Sequence, residues 1–382
     1  MAPSPLHLLL LPWFMHFLIL LPSAVVAQSS GTVGVTYTTA PSTADHVARF
    51  VESSKISAVR LPDANPTVIR SFTFTNVSLL LTIPNSLVPV IAANRSNAAT
   101  WLYNHVVPYY PRARISTISV GNNVLDASPD LYDFVLPAIN NIHTSLREIG
   151  IRSISVSTTF SFLSVMTDTF PPSSARFQSP ADDVLIRPLL QFLEQTNSSF
   201  LINLYPYNVL RLNSEIPIAF ALFQNLPYNF RDDITTGVRY LNLFDMMVDA
   251  VISAMAVAGH QSVSIIVTET GWPSAGSTGE LEATQGYAEM YVKGLVKHLK
   301  SGVGTPLRKE GVAEAYIYEL FDRDDEQEVN GTSRKWGIFY PNLTKKYDIQ
   351  LSSSGVLSGN GSRTWVHIAG WIVLVLSSLL LH

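Results

Sequence analysis

Glu269 stands in Ile265-Ile266-Val267-Thr268-Glu269-Thr270-Gly271-Trp272-Pro273-Ser274, an apolar run that gives way to a carboxylate, a glycine, an indole and a proline. β-Branched residues in an unbroken run read as a buried strand, and Gly271 with Pro273 ends it. The carboxylate is thereby placed at the strand's carboxyl end, where a parallel α/β barrel keeps its chemistry. A carboxylate beside an indole suits a sugar: the ring's apolar face stacks on Trp272 while its anomeric carbon meets the Glu269 oxygen. A glutamate in this place could equally cap a neighbouring helix or pair with an arginine, and the decapeptide alone leaves both open.

Other polar and aromatic residues gather where candidate strands end. They are Tyr37, Asp63, Asn85, Asn122 with Asn123, Ser157 with Thr158, Asn203 with Tyr205 and Tyr207, and Asp322. Together they describe a cleft of amides, hydroxyls and rings, as an uncharged polysaccharide would need.

The elements that must position these groups alternate along the chain. Candidate strands are residues 33–37, 58–61, 78–83, 115–120, 153–157, 200–204, 262–267 and 315–320. Amphipathic stretches at 44–53, 98–107, 131–146, 185–194, 243–258 and 286–299 separate most of them. Eight strands alternating with helices predict a single (β/α)8 TIM barrel. A doubly wound open sheet is the competing arrangement, and the lack of a glycine-rich phosphate loop after the first strand weakens it.

The two ends predict processing. Leu8 to Leu21 is apolar and leads into Pro22-Ser23-Ala24-Val25-Val26-Ala27, the pattern of a secretory signal over residues 1–27, although its start lacks Lys and Arg. Residues 365–382 form an apolar tail behind the Ser/Gly-rich segment 352–364, the order expected of a glycosylphosphatidylinositol attachment signal. The barrel is then residues 28–351, about 325 residues and enough for one large core. Such a protein is expected on the extracellular face of the plasma membrane and in the cell wall, as a monomer held to the membrane by its lipid. Sequons at Asn76, Asn94, Asn197, Asn330, Asn342 and Asn360 offer glycan sites to a chain on that route.

The composition removes several classes of function. There is no cysteine, so disulfides, thiol catalysis and cysteine-ligated metals are excluded. A net charge of −4 with 14% charged residues gives no basic stripe, and nucleic acid is not an expected partner. No pair of histidines has metal-ligand spacing near the motifs, and no cofactor or metal is expected.

Read in order, the motifs resemble the plant β-1,3-glucanases of glycoside hydrolase family 17. The resemblance runs from Gly34-Val35 and Tyr37 through Val59-Arg60-Leu61, Asp63-Ala64, Ile83-Pro84-Asn85 and Val120-Gly121-Asn122. It continues with Val156-Ser157-Thr158, Asn203-Leu204-Tyr205-Pro206-Tyr207, Asn242-Leu243-Phe244-Asp245 and Thr268-Glu269-Thr270-Gly271-Trp272-Pro273-Ser274. Leu320-Phe321-Asp322 and Trp336-Gly337-Ile338-Phe339-Tyr340-Pro341 complete it. It implies retaining cleavage of β-1,3-glucan by two glutamates, with Glu269 as nucleophile. It also implies sugar contacts by Tyr37, Asn122, Asn203, Tyr205, Tyr207 and Trp272.

Retaining hydrolysis needs a second carboxyl group about 5 Å from the first, to protonate the leaving oxygen and later activate water. The family places it in a Gly-Asn-Glu at the end of the fourth strand, and this chain reads Gly121-Asn122-Asn123. An amide delivers no proton, so hydrolysis is expected to fall by roughly two to four orders of magnitude. Further departures are Thr36, Thr38, Pro62, Arg323 and Ser333, with one extra residue in the loop after Asp322. Asp126 and the acidic run Asp324 to Glu328 are the carboxylates that could substitute. The two readings are therefore a weak endo-1,3-β-glucosidase and a noncatalytic glucan-binding protein of the cell wall.

Overall fold

In the computed structural model, residues 31–38, 42–127, 129–323 and 334–351 are described. The expected signal, the Ser/Gly-rich tail and the terminal apolar segment lie outside them, as do Asn330, Asn360 and the acidic run after Arg323. Among the described residues no helix is long and apolar enough to cross a membrane.

Eight parallel strands close into a barrel in chain order: β1 (Thr32–Thr36), β2 (Ala58–Leu61), β3 (Ser78–Ile83), β4 (Arg114–Asn122), β5 (Ser155–Ser161), β6 (Phe200–Asn203), β7 (Ile265–Thr270) and β8 (Glu314–Ile317). The expected (β/α)8 fold is the observed one. Two strands are displaced from the sequence reading. β5 and β7 begin two or three residues later, so Glu269 lies within β7, paired with Asn203 of β6, and not beyond its end. The run that looked like the strand's body is its first half, and the polar second half is strand as well.

Helices cover the outside, among them α1 (Ala44–Ser53), α2 (Pro66–Ser71), α3 (Val88–Ala93), α4 (Arg95–His105), α5 (Tyr132–Glu148), α6 (Arg187–Thr196), α7 (Pro206–Leu212), α8 (Leu243–Val257) and α9 (Gln285–Ser301). α1 turns Val47, Ala48 and Val51 inward at helical spacing. Asn242 starts α8 by accepting from the Asp245 amide, and Thr284 starts α9 by accepting from Tyr287. Outward-facing strand residues such as Val33, Val35, Val59, Leu61, Val156 and Ile202 meet these helices in one large core.

The barrel interior is of two kinds. Ala58, Leu80, Leu201, Ile266 and Tyr316 form an apolar plug. Gly34 makes room for it, because a Cβ there would come within 2.7 Å of the Tyr316 ring and 2.9 Å of the Ala58 carbonyl. Two residues further along several of these strands the inward positions turn polar: Thr36, Arg60, Thr82, Asn203 and Thr268, all buried. The mouth above this layer is where the candidate chemistry sits.

Candidate active site

Glu269 is 8% exposed and held from two sides. Arg60 of β2, with no exposed surface, donates from Nη1 to Oε1 at 2.5 Å, and Tyr205 donates its hydroxyl to Oε2 at 2.8 Å. The carboxylate's charge is thus balanced from beneath by a guanidinium that cannot leave the barrel. Burial, and next the charge of Glu269, push the Tyr205 hydroxyl well above its ordinary value, so it stays a donor. Of the two roles left open for this glutamate, pairing with an arginine is present, and it is compatible with chemistry at the same carboxylate.

The opposite wall is built by β4. Gly121 has φ +85°, and a Cβ on it would meet Val124 at 2.5 Å and the Asn85 side chain at 3.0 Å. Asn85 then ties the Asn122 backbone at both groups, at 2.8 and 2.9 Å. Asn123 follows with φ +48°, a left-handed conformation that asparagine tolerates better than most side chains. Asn203 donates from Nδ2 to the side-chain oxygens of Asn123 at 3.0 Å and Asn122 at 3.1 Å, while its own Oδ1 accepts from Thr268 at 2.8 Å. One chain of hydrogen bonds therefore runs from Asn123 through Asn203 to the residue before Glu269. Asn123, the residue after β4, and Glu269 of β7 are thereby brought to the same mouth of the barrel.

The rings are arranged differently from expectation. Trp272 is 1% exposed: its indole donates to the Glu282 carbonyl at 2.7 Å and packs on Tyr207 and Tyr291. Tyr207 is fully buried, with its hydroxyl on Glu280, and Tyr37 is 5% exposed within the core. None of these three offers an open ring face to a sugar, which corrects the expectation of sugar contacts by Tyr37, Tyr207 and Trp272. The partly exposed rings beside Glu269 are Tyr205, Tyr318 and Trp336, mutually edge-on at centroid distances of 5.3 to 6.2 Å. Of these, sequence reading named only Tyr205 as a contact. Trp336 carried a signal in Gly337, whose hydrogen is all that fits against the Asp322 backbone and brings this segment onto the end of β8.

Sequence reading gave no role to Arg60, quoted only within Val59-Arg60-Leu61, or to Glu319, each a lone charge within an apolar strand run. Glu319 is 2% exposed, accepts from the Thr38 hydroxyl, and pairs with Arg323 at 3.3 Å. Two departures from the family pattern, Thr38 and Arg323, thus meet on one carboxylate. Arg323 also donates to the Tyr318 hydroxyl at 2.8 Å. Of the substitute carboxylates, Asp126 is exposed on the one-turn helix Val124–Ala127, and among the described residues nothing ties its side chain to the mouth. Asn76, Asn94, Asn197 and Asn342 are exposed.

Burial pushes Glu319 up to about 6 from 4.5, against the opposing pull of Thr38 and Arg323. The folded protein keeps this proton over an interval in which the unfolded chain has released it, so its contribution to stability is present below pH 4.5 and is lost as pH rises toward 6. Glu319→Gln should remove that part of the slope. Urea midpoints of both proteins on either side of the interval should show the wild type losing ground to the variant as pH rises. A constant difference between them would refute the assignment.

Residues 32–351 match the model of the glycosyl hydrolases family 17. The chain belongs to glycoside hydrolase family 17. Glucan endo-1,3-beta-glucosidase 1 of Arabidopsis thaliana is 38% identical to this family 17 protein over 315 residues, covering 82% of the chain and 61% of the relative. Glucan endo-1,3-beta-glucosidase 12 of the same plant is 36% identical over 310 residues, covering 81% and 57%. The chain therefore spans about three fifths of the length of these two curated relatives. Among solved structures, CJP38, a beta-1,3-glucanase and allergen of Cryptomeria japonica pollen, superposes with a TM-score of 0.78 at 32% identity, covering 84% of this chain and 99% of that one.

Proposed function

We propose that this family 17 protein takes β-1,3-glucan into the mouth of the barrel, with Tyr205, Tyr318 and Trp336 as the aromatic surface and Glu269 as nucleophile. Its hydrolysis of natural glucan is weak. The observation that carries this reading is the amide at position 123, tied to Asn203 where the resemblance puts the acid. Nucleophilic attack by Glu269 needs only the carboxylate that Arg60 and Tyr205 hold in place, whereas departure of a glucosyl alkoxide needs a proton that Asn123 does not have. The second reading, a noncatalytic glucan-binding protein, is favoured by the same amide, because binding uses the rings and amides and needs no acid.

Titration with reduced laminari-oligosaccharides, together with their rate of cleavage, tests both. Saturable binding with cleavage at least about a hundredfold below that of an acid-bearing family member is expected. Brisk cleavage would show that another carboxyl group has taken the role, and absence of binding would remove glucan as the ligand.

The location we propose is the outer face of the plasma membrane, through a glycosylphosphatidylinositol anchor added in the segment 352–364. The small-residue stretch followed by an apolar tail supports it. A phosphatidylinositol-specific phospholipase should release the protein from intact membranes, and retention beside a released control would argue for another mode of attachment.

A further inference from the structure

We propose that Glu280, together with Arg334, is a positioning residue that fixes the Trp336 indole in the sugar-binding mouth. The inference rests on the reading of Trp336 as part of the glucan surface. The main chain around Trp336 is tied by the Ser274 amide to the Lys335 carbonyl at 2.7 Å, by Lys335 to Ala275 at 3.0 Å, and by Glu319 to the Trp336 carbonyl at 3.2 Å. Those bonds set the course of the backbone, and the plane of the indole is set by the rings around it.

Tyr205 and Tyr318 flank the indole within the mouth at 5.3 and 5.9 Å, and the fully buried Tyr207 packs edge-on against it at 5.9 Å. Tyr207 is in turn fixed by Glu280, which accepts its hydroxyl at 3.2 Å. Arg334, two residues before Trp336, lies over the Tyr207 ring at 5.3 Å and reaches both Glu280 oxygens with contacts of 2.7 to 3.0 Å. Arg211 of α7 approaches the same carboxylate at 3.3 Å.

One buried carboxylate thereby joins three segments: the loop after β7, the β6 end with α7, and the strand-like return at 334–336. Arg334 holds its proton affinity below the ordinary carboxylate range, as expected of a group that stays charged. Without that charge the Arg334 and Arg211 guanidinium groups, 5.3 and 6.0 Å from the Tyr207 ring, lose the carboxylate they share and repel one another. Their separation would carry Arg334, and the adjoining indole, away from the Tyr207 ring. Arg334 needs its planar fork for this, so lysine is not an equivalent.

The experiment compares Glu280→Gln, Arg334→Lys and Trp336→Ala with wild type in two assays. One is binding of reduced laminarihexaose. The other is the saturating rate at which an activated aryl β-glucoside labels Glu269. Glu280→Gln and Arg334→Lys should weaken hexaose binding about tenfold, a loss similar to that of Trp336→Ala, with the labelling rate unchanged. Adding Arg211→Gln to Glu280→Gln should restore part of the binding by removing one of the opposed charges, a recovery that general loosening of the fold would not give. If Trp336→Ala loses binding while Glu280→Gln and Arg334→Lys bind as wild type, the clamp is refuted and the glucan surface stands. If Trp336→Ala itself binds as wild type, the surface has been misplaced and the clamp falls with it. Arg334→Lys keeps the charge balance, so it reports on the clamp even where Glu280→Gln fails to fold.

Discussion

Replacing Asn123 by glutamate is expected to raise cleavage of unactivated β-1,3-gluco-oligosaccharides by about two to four orders of magnitude. The proposed nucleophile, Glu269, is ion-paired with Arg60 at 2.5 Å and hydrogen-bonded to Tyr205 at 2.8 Å. On the proposed reading, the missing part is a proton for the glucosyl oxygen. A glutamate at the end of β4 would supply it and then, as carboxylate, deprotonate the attacking water. The backbone at 123 opposes the change, because φ +48° suits asparagine and costs glutamate on the order of 1 kcal/mol. Asn203, which donates to the Asn123 side-chain oxygen, can donate to a carboxyl oxygen in its place, so the backbone strain is what should hold the gain below that of a family enzyme that carries the acid natively. Reducing-end release from reduced laminarihexaose measures it. Asn123→Gln has similar reach and no acid, and serves as the control. Equal rates for the two variants would show that proton delivery is not what limits turnover.

The second large effect appears when the leaving group needs no proton. With a dinitrophenyl β-laminaribioside, the Glu269 oxygen forms its bond to the anomeric carbon as the aryl oxide departs with the electron pair of the broken bond. A burst of aryl oxide of about one equivalent is expected, followed by a slow phase, because Asn123 cannot deprotonate water for the second displacement. Azide is already an anion and should accelerate that second phase, giving a glycosyl azide of retained configuration. Glu269→Gln should abolish the burst. Intact-mass and peptide analysis would place the sugar on Glu269. Demonstrable binding of the substrate with no burst would support the noncatalytic reading instead.

The strands were legible because each is short, apolar and set off by turn residues, and so the mouth could be assembled from residues that end them. Glu269, Asn122, Asn123 and Asn203 come together for that reason. The aromatic surface was not legible. Trp272 is three residues from Glu269 in the chain, yet the backbone turns after Thr270 and sends the indole between Tyr207 and α9. Tyr205, Tyr318 and Trp336 become neighbours only through the closure of β6, β7 and β8, and no local pattern encodes that closure. Arg60 and Glu319 sat inside apolar runs, where the surrounding hydrophobic signal outweighed a single charge. A charge in an apolar run that must be buried is itself the sign of a partner, which for Arg60 is Glu269 across the barrel and for Glu319 is Arg323 four residues on.

The ion pair at the base of the mouth has a consequence for how much the presence of Glu269 means for catalysis. Arg60 is fully buried, and removing Glu269 would leave its charge uncompensated, at a cost of about 3–5 kcal/mol. Asn123 sits on a left-handed turn at the rim, where exchanging an acid for an amide leaves no buried charge behind. On the roles proposed for them, the two positions are unequally tied to the fold: an acid at 123 can be exchanged for an amide without stranding a charge, while Glu269 is held by Arg60 whether or not turnover persists. In a barrel wired this way, the rim residue is the informative witness to catalysis, and the glutamate is not.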